Sequence, residues 1–200
     1  MGTELEWKYA VPDPSLLDRV LAWEEVRSRM VEEPRRYHMR TDYYDAPDRR
    51  FSRHKITIRR RMENERSVVC VKAPLPEGSD PHLRGEWELE AEDLRSALPR
   101  LVNLGAPGAI LEPVCLQRLC GADFLRRAVL LRFADGSAAE LALDCGSLFG
   151  PTESAPLCEL ELELKEGAPG AALAFAEALA ERFSLRLEPL GKFTRASALE

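Results

Sequence analysis

Two short segments concentrate the residues best suited to chemistry. Glu4, Glu6 and Lys8 alternate with Leu5, Trp7 and Tyr9, and Glu159, Glu161, Glu163 and Lys165 alternate with Leu160, Leu162 and Leu164. On a β-strand successive side chains point to opposite faces, so each segment sets carboxylates and a lysine on one face and apolar residues on the other. Further charged faces follow the same period: Arg59 and Arg61, Lys72, Arg84 with Glu86 and Glu88, and Glu140 with Asp144. Carboxylate oxygen is the preferred donor for hard divalent cations, and Arg and Lys bind phosphate oxygens. Together these residue types describe a site for a metal polyphosphate. The same alternation also describes an antiparallel sheet with one face in water.

The elements that must position these residues can be read around them. Residues 13–33 predict a helix with Leu16, Leu17, Val20, Leu21, Val26 and Met30 along one face. Helices are also expected over 92–103 and 171–183, the second rich in Ala and Leu and preceded by Gly167 and Pro169. Strands are expected from Arg53 to Arg61, with Lys55, Thr57, Arg59 and Arg61 on one face, and at 67–73, 84–90, 127–134, 138–145 and 157–165. Pro74 to Pro81 reads as a loop. The pattern is α+β in one domain, 1–200. Closing the sheet into a barrel of about eight strands would turn the charged faces into the lumen and the apolar faces toward the helices.

The 28 basic and 34 acidic residues give a net charge of −6, which argues against a nucleic-acid or acidic-membrane partner. The five cysteines are odd in number and lack C-x-x-C spacing, as expected of reduced thiols in a cytoplasmic protein. No signal peptide or membrane span is expected. His38, His54 and His82 lack zinc-ligand spacing and are assigned to the surface, and Trp7, Trp23 and Trp87 to the core.

These residues are also where the chain resembles the CYTH domains, or triphosphate tunnel metalloenzymes. The opening Glu-x-Glu-x-Lys stands as Glu4, Glu6 and Lys8, and a Tyr-Tyr-Asp-x-Pro-Asp segment as Tyr43 to Asp48. Arg59 and Arg61, Lys72, Arg84 and Glu86, Asp144-Cys145-Gly146, the acidic strand Glu159 to Lys165, and Lys192 with Arg195 follow in order. The resemblance departs at Arg60, where an apolar residue is usual, at Lys55, which replaces a common glycine, and after Arg195, where a glycine and an aromatic are missing. Residues 115–127 match least, and only Arg126 is assigned there.

The resemblance implies a closed eight-stranded antiparallel β-barrel, a triphosphate tunnel, with flanking helices. It implies Mg²⁺ or Mn²⁺ on Glu4, Glu6, Glu86, Asp144, Glu159, Glu161 and Glu163. Phosphate would be held by Lys8, Arg59, Arg61, Lys72, Arg84, Arg126, Lys192 and Arg195, with Lys8, Glu4 and Glu6 acting in catalysis. The implied activity is metal-dependent hydrolysis of inorganic triphosphate, since the acidic strand looks most like that of bacterial tripolyphosphatases. Adenylate cyclase chemistry, hydrolysis of thiamine or nucleoside triphosphate, and binding of a polyphosphate without turnover are the alternatives. The family is compatible with a homodimer, though no residue here demonstrates one.

Overall fold

The computed structural model describes residues 2–3, 5–74, 84–111 and 115–199, so Glu4, His82, the side chain of Arg84 and most of the expected 74–81 loop lie outside the described residues. The strands are β1 (Gly2–Thr3), β2 (Glu6–Ala10), β3 (Arg35–Asp45), β4 (Thr57–Glu63), β5 (Arg66–Pro74), β6 (Arg84–Glu90), β7 (Gln117–Arg132), β8 (Ala138–Phe149), β9 (Ser154–Glu166) and β10 (Arg186–Leu187). They form one antiparallel sheet in the order β1-β6-β5-β4-β3-β7-β8-β9-β2-β10. The helices are α1 (Ser15–Ala22), α2 (Glu24–Arg27), α3 (Arg50–Arg53), α4 (Leu94–Asn103), α5 (Pro169–Phe183) and α6 (Lys192–Ser197). Among the described residues no helix is long and apolar enough to cross a membrane.

The closed eight-stranded barrel expected from the sequence does not form. β1 and β2 follow one another in the chain yet stand on opposite flanks of the ladder, Gly2–Thr3 against β6 and Glu6–Ala10 against β9. Among the described residues of this segment none pairs with both flanks, and the second side of β2 is taken at Tyr9 and Ala10 by β10. The result is a ten-stranded sheet with flanking helices whose two ends are not hydrogen-bonded to each other.

Turn chemistry sets the registers. Asn64, at φ 55°, makes the β4–β5 turn in the left-handed region that Asn tolerates best after Gly. Its backbone N–H donates to the His38 carbonyl, and its side-chain oxygen accepts from the His38 N–H at 2.8 Å, fastening the hairpin to β3. Lys55 also lies in the left-handed region, at φ 59°. It belongs to the turn before β4 and not to the strand face that carries Arg59 and Arg61, which accounts for a glycine being usual there. Gly146 on β8 has no room for a side chain: a Cβ would lie 2.2 Å from the Asp123 carbonyl and 2.5 Å from the Phe124 Cα on β7.

The apolar strand faces are covered by helices. Tyr9, Leu141, Leu143, Leu160 and Leu162 pack with Leu17 and Val20 of α1 and with Ala172, Phe175, Ala176 and Leu179 of α5. Ile58, Val69, Val71 and Trp87 pack against Leu98 and Leu101 of α4. Fully burying side chains of this size contributes about 1.5–3 kcal/mol each. α4 starts one residue after Asp93, whose carboxylate accepts the Ser96 N–H at 2.8 Å.

The single helix expected over 13–33 is instead two, broken at Trp23, which is extended (φ −67°, ψ 131°). That conformation lets the Trp23 ring stack on Phe175 at 5.8 Å and meet Phe183 edge-on at 5.7 Å. Aromatic packing on α5 outweighs local helix preference here. Met30 then bridges to Leu131 at the sheet.

Candidate active site

With the apolar faces turned out to the helices, the charged faces line a cavity of about 800 Å³. One wall is acidic with two embedded lysines. β2 contributes Glu6 and Lys8, β9 Glu161, Glu163 and Lys165, and β8 Glu140. Register places Lys8 opposite Glu161 and Glu6 opposite Glu163 across β2–β9, and Glu140 opposite Glu163 across β8–β9. Directly opposed residues in such ladders have Cβ atoms about 4.5–5.5 Å apart, so these carboxylates can share one cation. Lys8 Nζ donates to Glu6 Oε1 at 3.2 Å.

The second wall is basic. Arg59 and Arg61 project from β4 and Lys72 from β5, beside Glu86 and Glu88 of β6 and Glu63 at the end of β4. Arg59 and Lys72 lie 3.2 and 3.5 Å from Glu86, and Arg61 lies 2.6 Å from Glu63. Burial raises the Glu86 carboxyl, but Lys72 and then Arg59 outweigh it and hold the group below the usual carboxylate range. The buried Nε of Arg61 has no hydrogen-bond partner among the described residues. Tyr37, Met39, Thr41 and Tyr43 of β3 with Phe124 of β7 make a third, less charged wall.

One end is closed by an ion cluster. Arg126 on β7 reaches the Asp144 carboxylate with Nε and Nη2, both at 2.7 Å, and Nη2 also meets Glu161 at 2.6 Å. Lys192 of α6 comes within 2.8 Å of Asp144 and 2.9 Å of Glu161 and also pairs with Glu159, which Arg195 binds from its other side. Asp144 and Glu159 have no exposed side-chain surface. Burial is the dominant influence on Glu159 and raises its carboxyl, whereas at Glu161 Lys192 and Arg126 overcome burial and hold the group well below its ordinary value. Burial opposes the Lys192 charge, but Asp144, Glu161 and Glu159 raise its pKa and keep the ammonium protonated. The Phe124 ring lies 5.0 Å from Lys192 Nζ and 5.7 Å from the Arg126 guanidinium carbon, a further contact favouring both cations.

Among the described residues two groups have donor atoms within 4.8 Å of one another, as a metal would need: Asp144 with Glu159 and Glu161, and Cys70 with Glu86 and Glu88. The first already surrounds the Lys192 ammonium. In the second, burial pushes the Cys70 thiol up to about 11, so it donates to Glu86 as a neutral S–H. The carboxylates that face the open cavity, Glu6, Glu161 and Glu163, are the oxygen donors that suit a hard divalent cation.

Of the residues singled out in the sequence, Glu6, Lys8, Arg59, Arg61, Lys72, Glu86, Arg126, Glu161, Glu163 and Lys192 line the cavity together. Asp144 and Glu159 lie behind it, and Arg195 stands on α6 between Glu159 and Glu188. Glu4 and the Arg84 side chain lie outside the described residues. Glu63 was missed, although it extends the period-two run of Arg59 and Arg61 by one step. Tyr37, Met39, Thr41 and Tyr43 share the same period along β3, where their mixed chemistry hid it.

Comparison with known proteins bears on the fold and the family. An inorganic triphosphatase of Haemophilus influenzae is 29% identical over 125 residues, which is 62% of this chain and 35% of that protein. The match thus spans about a third of the relative's length. HpAC1 of Hippeastrum, a provisionally assigned adenylyl cyclase described as having a dominant triphosphatase activity, superposes with a TM-score of 0.60 at 16% identity, covering 96% of this chain and 94% of that one. A Pyrococcus horikoshii protein superposes with a TM-score of 0.54 at 16% identity, over 96% and 98% of the two chains. At such identities the likeness is one of fold. The family model described as the CYTH domain matches residues 2–197, nearly the whole sequence, and this chain therefore belongs to the CYTH-domain family.

Proposed function

We propose that this protein hydrolyses a triphosphate within its charged cavity, inorganic triphosphate being the first substrate to consider. The observation that carries the reading is the opposition, around one cavity, of the basic wall Arg59, Arg61 and Lys72 to the acidic wall Glu6, Glu161 and Glu163. A polyphosphate needs the first, and a cation that neutralises it needs the second. The inorganic triphosphatase among the relatives supports the same reading.

In this reading Arg59, Arg61 and Lys72 hold phosphate oxygens, and the unpartnered Nε of Arg61 supplies a donor that no carboxylate takes. Lys192 and Arg126 contribute positive potential from the closed end. Glu6, Glu161 and Glu163, joined by Glu4 from the family motif, would hold Mg²⁺ or Mn²⁺. When bound, such a cation would neutralise charge on the transferring phosphoryl group and its neighbours. Lys8, beside Glu6, is assigned to orient the water that adds across the phosphoanhydride bond. Asp144 and Glu159 act through Lys192, keeping it charged and in place, and Arg195 holds Glu159.

The test is phosphate release from inorganic triphosphate, ATP and thiamine triphosphate with Mg²⁺ or Mn²⁺ and with EDTA, with cyclic AMP followed in parallel. Metal-dependent release fastest from inorganic triphosphate is the expected result. Cyclic AMP with little free phosphate would replace the reading with a cyclase, and no turnover of any substrate would replace it with binding alone.

A further inference from the structure

The face of β8 and β9 that points away from the cavity carries Cys145 and Cys158, which the register sets directly opposite each other. Both are free, partly accessible, and packed at the margin of the core beneath α1 and α5. The sign of the pairing follows from the neighbouring ladder. Val11 N–H donates to the Cys158 carbonyl at 3.0 Å, and Leu164 N–H donates to the Leu5 carbonyl at 2.9 Å. In an antiparallel strand the N–H and C=O of one residue point to the same side, so Cys158 turns both toward β2. Toward β8 it therefore forms a non-hydrogen-bonded pair with Cys145, the closer kind, with Cα atoms about 4.5 Å apart. That falls inside the range of about 4.4–6.8 Å that a disulfide requires.

We propose that Cys145 and Cys158 form a dithiol site that takes small-molecule disulfides and closes to a cross-strand bridge. One cysteine sulfur, as thiolate, attacks a sulfur of the small disulfide, forming a mixed disulfide and expelling one thiolate. The second cysteine sulfur then displaces the other half, forming the Cys145–Cys158 bond. The two cysteine protons end on the two departing thiolates, so the protein dithiol is oxidised and one small disulfide is reduced to two thiols. The site is independent of the triphosphatase reading. Its consequence for the cavity is mechanical: Asp144 and Glu159, the adjacent residues on the two strands and themselves opposed, carry the buried carboxylates that seat Lys192. Closure would tie β8 to β9 one residue away from that pair.

The experiment uses the full chain and glutathione disulfide as the probe. Burial, then the Cys145 thiol and Asp13, push Cys158 up to about 12, so the exchange is given time to reach equilibrium before free thiols are alkylated. Mapping of peptides without reduction should find Cys145 joined to Cys158 with the loss of two hydrogens, reversed by dithiothreitol. The oxidised chain should melt higher than the reduced one, and Cys115→Ser, which removes the exposed thiol, should leave the link unchanged. Five alkylated cysteines at equilibrium, glutathione retained on Cys145 or Cys158, or a link through Cys115 would each overturn the proposal.

Discussion

Lys8 stands directly opposite Glu161 across the β2–β9 ladder, and Glu161 in turn accepts hydrogen bonds from Arg126 at 2.6 Å and Lys192 at 2.9 Å. One carboxylate thus links the opening strand, the middle of the sheet and the last helix. This relationship ties the positive end of the cavity to its acidic wall.

Glu6→Gln keeps the shape of the side chain and removes its charge beside Lys8. The fold should be retained, with an unchanged circular dichroism spectrum, while the Mg²⁺ or Mn²⁺ concentration for half-maximal phosphate release rises at least about 10-fold, as loss of one carboxylate from a hard-cation site should cause. An unchanged metal dependence would remove Glu6 from the site.

Arg61→Ala deletes the donor with the unpartnered Nε. If it binds the charge that develops on phosphate, kcat for triphosphate hydrolysis should fall about 10²–10³-fold, the usual effect of removing one such donor. Single-turnover kinetics would distinguish this from slowed product release.

Arg126→Met breaks the bidentate contact with the fully buried Asp144. Removing one partner of a buried pair costs about 3–5 kcal/mol. Lys192 still faces Asp144 at 2.8 Å, so urea unfolding should give a loss near the lower end of that range.

Glu86 sets a pH dependence. Its folded pKa lies below the ordinary value of 4.5, so the folded state binds the proton less readily than the unfolded chain. The stability this contributes is fully present above about pH 4.5 and is lost as the pH falls through the depressed value. Urea midpoints across pH 3–6 should show Glu86→Gln less stable than the parent near pH 6, the gap narrowing as the solution is acidified.

Gly146→Ala would drive a Cβ against the β7 backbone. Overpacking of this kind costs about 1–3 kcal/mol, so the melting temperature should drop and the Arg126–Asp144 pair one turn of the pleat away should loosen.

Much of the site was legible because β alternation is local. Once Glu6 and Lys8, Arg59 and Arg61, or Glu161 and Glu163 lie on strands, each pair must share a face whatever the rest of the chain does, and the same holds for the Ala- and Leu-rich helix α5. What local pattern does not encode is depth along a strand. Glu159 and Glu161 have the same spacing and chemistry, yet Glu161 lines the cavity and Glu159 lies sealed behind it, because α6 packs over β7 and β8 and sets both Lys192 and Arg195 against Glu159. The break at Trp23 likewise depends on rings more than 150 residues away. The sequence by itself determined which side chains face inward and with what charge. The tertiary structure alone decided where the cavity ends, which carboxylates are already matched by internal cations, and that β1 and β2 part company to opposite flanks of the sheet, since each depends on which distant surfaces meet.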